Sequence, residues 1–314
     1  MPKLAIGFIT YNDSSSKYLP FFIESLFSQN FQDFYIFAID NSEKKENNNF
    51  YFLRNNPKID FEWAGKNMGF ARAYNKLIKK VKDKGAKYFL ALNPDMILEP
   101  DALGKLVEFM EKKGDLGSVS PKVLKWNFEE RKKTKIIDTC GIELGSGLRF
   151  FDLGQGEEDK GQYDNAKILG PSGCAALYRT SALEKTKEGA NYFDELMFMY
   201  KEDCDLAYRL FLAGFKSGVA SESLIYHDRT AFGSGKGDSL IAKNRKNKSR
   251  QVKSWSFLNQ HIIFLKYWNL QNFRSKAAVL FYAMKMFFYV LFFERYLLKE
   301  YSKLFKISKN IKRY

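Results

Sequence analysis

Short apolar runs that end in polar residues alternate with stretches of helical periodicity along the first 115 residues, and this alternation restricts the chain to a layered α/β architecture. Residues 4–9 and 34–40 (FYIFAID) are two such runs, with a helical pattern over 19–29 between them. The periodicity predicts a further helix over 70–82, a buried strand over 88–98 (YFLALNPDMIL) and a helix over 101–112. Strands that alternate with helices pair mainly in parallel, in a sheet covered on both faces. In an open parallel sheet, ligands lie where the carboxyl ends of the strands face a crevice. The polar residues at those ends are therefore the first candidates: Thr10, Tyr11 and Asn12; Asp40, Asn41 and Ser42; Asn93 and Asp95. Neither GxGxxG nor GxxxxGKS/T occurs, which argues against a dinucleotide fingerprint and a P-loop.

From 116 to 169 six glycines between Gly141 and Gly161 break the pattern, so loops and short antiparallel strands are expected. Helices return over 181–185 and 203–213, and 233–253 is the only linker-like stretch. That stretch separates two charge regimes. Residues 1–235 hold 33 Lys+Arg and 33 Asp+Glu, whereas 236–314 hold 18 against 3, so the whole net charge of +15 belongs to the tail. No nucleic-acid fold motif accompanies it, and nucleic acid is not expected as a partner. Cys140, Cys174 and Cys204 form no CxxC pair, so neither a disulfide framework nor a zinc cluster is suggested and a reducing compartment fits. The opening MPKLAIGFITYN reads as a first strand rather than a signal peptide. Lys285 interrupts the best apolar run, and Glu294 with Arg295 closes it, so no membrane-spanning segment is expected.

Several pieces in order carry a resemblance: ITYN, IDNSE (39–43), NMGFARAYN (67–75), LNPD (92–95), GPSGCAALYR (170–179), FDELMFMYKEDCDLAYR (193–209), His227 and LNQHIIFLKYW (258–268). Together they resemble family 2 of the inverting glycosyltransferases, and within it the bacterial rhamnosyltransferase-like branch. The resemblance covers roughly the first 270 residues. It implies a GT-A fold, a nucleotide-sugar donor (dTDP-rhamnose favoured, a UDP-hexose the alternative), Mg²⁺ or Mn²⁺, and single displacement with inversion. A catalytically silent nucleotide-sugar-binding protein is the competing class.

Glycosyl transfer needs a base for the acceptor hydroxyl and a counter-charge for the leaving diphosphate. By the resemblance, Asp203 is the base with Glu202 as its alternate, while Asp95 and His227 hold the metal. Asn93 stands where many relatives have Asp, so a single carboxylate is left for the ion. The same resemblance places Thr10, Tyr11, Asn12, Asp40, Asn41, Ser42, Asn67, Gly69, Phe70, Arg72, Asn75, Asn93 and Asp95 on the donor, and Ser172, Gly173 and Tyr200 on the acceptor side. On residue pattern alone, Glu202, Asp203 and Asp205 also read as acids favoured at a helix N-terminus, with Asp205 and Arg209 one turn apart and able to pair.

The expected organisation is a catalytic domain over 1–235, with donor-binding and acceptor-binding parts meeting at about 115, then a basic loop and helical segment over 236–272, then a basic tail over 273–314. Along 279–304, Val279, Ala283, Met286, Val290, Phe293, Leu297, Tyr301 and Leu304 recur at spacings of 4 and 3, with Lys285, Arg295, Lys299, Lys303 and Lys306 opposite. An amphipathic helix of this kind lies in a membrane interface, or packs on the catalytic domain or pairs with another chain, since the 4,3 spacing is also a heptad seam. The membrane surface is the preferred reading, with the protein cytoplasmic, attached to the inner face of the cell membrane, and acting on a lipid-linked or glycan acceptor.

Overall fold

The computed structural model describes residues 2–229, 245 and 248–314. β1 (Leu4–Thr10) and β2 (Phe34–Asp40) flank α1 (Leu19–Phe27), and α2 (Asn48–Arg54) leads into β3 (Ile59–Trp63). α3 (Gly69–Asp83) then crosses to β4 (Tyr88–Leu92). These four strands lie in the order β3-β2-β1-β4, all parallel, as the alternation requires.

The run 88–98 is not one strand. β4 stops at Leu92, and β5 (Met96–Leu98) pairs with a different strand at the far edge of the sheet. Pro94 has no amide hydrogen for a ladder, and the Asn93 amide is drawn away to donate to the Cys174 carbonyl at 2.8 Å. The break turns Asn93 and Asp95 out at the strand end.

α4 (Ala102–Glu111) precedes β6 (Leu116–Asn127), β7 (Lys132–Thr139), and a hairpin of β8 (Ile142–Gly145) and β9 (Arg149–Asp152). β10 (Ala175–Arg179), α5 (Thr180–Thr186), α6 (Glu202–Leu212) and β11 (Lys216–His227) complete the α/β body. β10 runs antiparallel between β4 and β6, and β11 is parallel to β6. The region expected to be irregular thus contains a 12-residue strand, β6. Its sequence hid it because Ser118, Ser120 and Lys122 are buried along with its apolar residues, which erases the usual alternation. Leu4, Ile6 and Phe8 pack on α1 and α4, while Ala5, Phe37, Ile39 and Phe89 pack on α3, α5 and α6. This is the period of two expected of a sheet covered on both faces.

Most of the stretch 233–253 lies outside the described residues. α7 (Arg250–Tyr267) follows, with Ser249 Oγ capping it by accepting from the Val252 amide. The tail is two helices rather than one: α8 (Phe273–Phe293) ends before Glu294, and α9 (Lys299–Ile307) follows a short 3₁₀ turn. Glu294 is buried and takes ion pairs from Arg245 at 2.6 Å and Lys253 at 3.0 Å, which fixes the break. The seam expected to face a membrane faces protein. Val279, Val290 and Leu297 are buried, and Ala283, Met286, Tyr301 and Leu304 pack beside them against α7 and the hairpin. Of that seam Phe293 is the exposed member. Lys285 does not interrupt the helix, so α8, at 21 residues, is long and apolar enough to cross a membrane by length and composition.

A buried ionic cluster joins α7 to α6. Lys266 Nζ lies 2.9 Å from Asp205 Oδ1, 2.9 Å from Asp194 and 2.7 Å from Glu188. Arg209 Nε donates to Asp205 Oδ2 at 2.8 Å, as the one-turn spacing suggested, and Tyr267 Oη donates to Asp205 Oδ1 at 2.7 Å. Burial works to raise the Asp205 pKa, but Arg209 and Lys266 outweigh it and hold the carboxyl at about 2.

Replacing Lys266 with Met strands buried carboxylates, so a loss of about 3–5 kcal/mol is expected in urea unfolding. Because the Asp205 pKa is depressed, its stabilisation is complete above the unfolded carboxyl value near 4 and disappears as pH falls toward 2. Urea midpoints of the native chain should therefore hold from neutrality to about pH 4 and drop below it, and a midpoint unchanged down to pH 2 would contradict this account.

Candidate active site

The carboxyl ends of β1, β2 and β4, the turn before β10 and the first turn of α6 face a cleft of about 830 Å³. Tyr11, Asn41, Asn67, Gly69, Phe70, Asn93, Asp95, Ser172, Gly173, Tyr200, Glu202, Asp203 and His227 all line it. Thr10, Asn12, Asp40, Ser42, Arg72 and Asn75 lie outside this lining.

Those outside have structural partners. Asp40 is fully buried and accepts from Thr10 Oγ1 at 3.0 Å, Ser42 Oγ at 2.6 Å and Asn47 Nδ2 at 2.8 Å, while Ser42 Oγ accepts from the Asn12 amide. This set knits the ends of β1 and β2 beneath the cleft. Asn75 Oδ1 accepts from the Tyr192 and Phe193 amides and its Nδ2 donates to the Phe193 carbonyl, so its amide is spent on protein. Arg72 pairs with Glu195 at 3.2 Å instead of facing the cleft. Gly69 has φ +74°, and a side chain there would collide with the Phe198 carbonyl; the close approach it permits is to protein backbone, and Asn67 Oδ1 caps its amide at 2.9 Å. Asn41 differs from these: its Nδ2 donates to the Gly69 carbonyl, while its buried Oδ1 has no partner. That oxygen is an acceptor aimed at a ligand N–H or O–H.

On the metal side, His227 is buried between two carboxylates, with Nδ1 2.8 Å from Asp138 and Nε2 3.2 Å from Asp95 Oδ1. Burial works to lower its pKa, and Asp95 and Asp138 outweigh it, so the ring is held protonated well above its usual range. Asp138 is itself buried and also meets Arg229. Although close to His227, Asp95 Oδ1 is buried without a properly aligned hydrogen bond.

Across the cleft, Asp203 Oδ2 accepts from the Gly173 amide at 2.9 Å and Oδ1 from the Cys204 amide. A Cβ on Gly173 would sit 3.2 Å from that carboxylate, so the GPSG turn approaches it as closely as a glycine allows. Its neighbour Glu202 is 4% exposed, its Oε2 has no partner, and burial followed by the charge of Asp203 raises its pKa well above the usual carboxyl range.

The turn that delivers this helix is strained. Tyr200 and Lys201 are consecutive non-glycine residues with φ of +72° and +74°. Asn259 of α7 holds them, its Nδ2 donating to the Met199 carbonyl at 2.9 Å and to the Tyr200 carbonyl at 2.6 Å. Lys248, Lys201 and Arg229 bring positive charge to the same side; burial, then Arg229 and Lys201, push the Lys248 pKa down. Sequence reasoning missed Asp138 and Asn259. The available signal was polarity inside apolar runs, in IIDTC and in LNQHIIF.

Residues 6–187 match the family model described as Glycosyl transferase family 2. The chain belongs to this family. Among solved structures it is similar to S. aureus TarS, at 16% identity and a TM-score of 0.53, covering 88% of this chain and 50% of that one. It is also similar to GalNAc-T7, a structure with UDP, GalNAc and Mn²⁺, at 13% identity and a TM-score of 0.61, covering 86% of this chain and 49% of that one. The likeness at these identities is one of fold, and the chain spans about half the length of either protein. No curated protein sequence matches the chain. The family and the fold agree on a GT-A glycosyltransferase.

Replacing Asn259 with Leu removes both bonds to the strained turn. Amide hydrogen exchange across 199–203 is expected to quicken about tenfold, with α5 unaffected, for a loss of about 1.4 kcal/mol of local stability. Unchanged exchange would show that the turn holds itself.

Proposed function

We propose that this glycosyltransferase moves a sugar, L-rhamnose from dTDP-rhamnose being the favoured donor, to a hydroxyl of a lipid-linked or cell-envelope glycan, by single displacement with inversion. The observation that carries this reading is the placement of Asp203, oriented by the Gly173 amide on one side of the cleft, with Asp95 and His227 also lining it. The acceptor oxygen attacks C1 as its proton passes to an Asp203 oxygen, and the bond from C1 to the diphosphate breaks to release a nucleoside diphosphate. Burial and the charge of Asp203 raise the Glu202 pKa, which favours a carboxyl that donates a hydrogen bond to a sugar oxygen over a second base. Asn41 Oδ1 accepts from the donor's base, and Tyr11 flanks it on the cleft wall.

The residues present fit a divalent cation. Asp95 Oδ1, buried and without a hydrogen bond, and His227 Nε2 beside it, once the ring has given up its Nε2 proton, would hold Mg²⁺ or Mn²⁺, with Asp138 fixing the ring through Nδ1. When bound, such an ion offsets the negative charge that develops on the diphosphate. The donor part is drawn at about residues 1–115 and the acceptor part at about 116–235, with α7 bracing the latter. Residues 273–314 hold the protein at the inner face of the cell membrane. A UDP-hexose is the competing donor, favoured by the UDP in the similar GalNAc-T7 structure.

Nucleoside diphosphate release should appear with one of a panel of nucleotide sugars in the presence of Mg²⁺ or Mn²⁺. Asp203→Asn should cut turnover about 10²–10⁴-fold with the donor KM little changed, and full turnover in that variant would remove the base assignment. Chelation, and separately Asp95→Asn, should abolish release; turnover indifferent to both would exclude the metal reading. Competition between dTDP-rhamnose and UDP-hexoses in titration calorimetry ranks the donors.

A further inference from the structure

α8 has two apolar faces, and protein covers one of them. Val279 and Val290 are buried, and Gly147 at the turn of the β8–β9 hairpin lies so close that a Cβ there would stand 2.9 Å from the Ala278 carbonyl. Tyr282 and Met286, beside this buried face, line the active-site cleft, and Arg149 of the hairpin stacks on the Tyr282 ring at 4.6 Å. The hairpin and α8 thus form one continuous wall on the acceptor side.

The other face carries Leu280, Phe281, Met284, Phe287, Phe288 and Phe292, each 41–66% exposed, with Phe273 at the start of the helix more exposed still. Isolated exposed apolar residues are ordinary, but a mainly aromatic row from Leu280 to Phe292 marks an interaction surface. Its chemistry selects the occupant. Residues 273–314 carry ten Lys and Arg against two acids, and both acids, Glu294 and Glu300, are buried and ion-paired. Arg274 and Lys276 occupy the first turn of α8, and Lys285 lies over the Phe281 ring at 4.7 Å with its stem along the apolar face. A second copy of the chain would set cations against cations. An anionic lipid surface offers both hydrocarbon for the ring face and counter-charge for its rim.

We propose that the aromatic face of α8 beds in an anionic leaflet while Tyr282 and Met286 wall the cleft, so that the acceptor reaches Asp203 from that leaflet as a sugar carried on a lipid. This deepens the transferase reading above and rests on it. Membrane attachment and acceptor supply are then one device, because the helix that meets the lipid is also part of the acceptor wall.

The test uses the full chain and the double variant Phe281→Asp with Phe288→Asp, which touches no residue of the cleft. In flotation, the native chain is expected to rise with phosphatidylglycerol/phosphatidylcholine vesicles and not with pure phosphatidylcholine, and the double variant to lose at least tenfold in partition. Flotation equal for both chains, or sedimentation showing a native dimer that the variant dissolves while neither floats, overturns the surface. With the donor found in the screen, the lipid fraction of a cell extract in vesicles should stimulate nucleoside diphosphate release by the native chain at least tenfold more than the aqueous glycan fraction. The double variant should lose that stimulation while keeping the slow release that water supports. Equal stimulation by the aqueous fraction overturns lipid delivery and leaves the transferase reading standing, whereas no release with any donor, even to water, overturns the reading on which it rests.

Discussion

A single buried lysine sets the geometry on which the candidate site depends. Lys266 has no exposed surface, and it is the cation on which Asp205, Asp194 and Glu188 converge. Taking four charges out of water is tolerable only when they are paired and hydrogen-bonded, so these residues hold one arrangement or none. The constraint spreads through the backbone of Tyr192 and Phe193. Arg209 of α6 donates to the Tyr192 carbonyl, and Asn75 of α3 accepts from both amides, so the helix behind the donor side and the helix that starts at Glu202 are fastened to the same two peptides. Asn259 adds the fourth tie, on the strained turn just before that helix. Residues after the linker-like stretch are in this way structural members of the site.

The same cluster explains how three acids on one helical turn differ. On residue pattern alone all three read as acids favoured at a helix N-terminus. Asp205 points into the ion cluster, whose cations hold its pKa down; Glu202 is buried beside the charge of Asp203, and its pKa is pushed up; Asp203 faces the cleft with two backbone amides on its oxygens. Environment, rather than residue type, separates a structural anion, a proton donor and a carboxylate free to accept a proton.

What could be read in advance follows from where the physics is local. β1, β2 and β4 and their covering helices were legible because period-2 burial and polar strand ends are written in consecutive residues. LNPD announced the cleft for the same reason, whereas KEDCD pointed to it through the family resemblance. β6 was not legible, because Lys122 is buried against Asp159 and Asp164, partners some forty residues away. The resemblance puts Gly69 on the donor, but the ring and carbonyl that its missing side chain clears belong to Phe198, again a distant partner. Asn75 and Arg72 were placed on the donor by motif position, and the hydrogen bonds that occupy them come from 192–195. Polar side chains in apolar runs, Asp138, Asn259 and Lys266, were the visible trace of these long-range pairings, since such groups enter a core only with partners.

Periodicity alone could not decide the outward face of α8 either. Spacings of 4 and 3 selected Val279, Met286 and Val290 correctly as a stripe, but a helix that is apolar on every side contains more than one such stripe. Small and β-branched residues sit where the hairpin and α7 come close, and the phenylalanines are left outside. Close packing chooses the side with less bulk, because Gly147 against Ala278 admits an approach that a ring does not. The bulky side is consequently the one left for whatever lies beyond the protein. Its charge rim supplies ten of the eighteen cations that follow residue 235, so the feature that first suggests a basic, nucleic-acid-seeking protein belongs in large part to a helix pair whose inner face lines the candidate cleft.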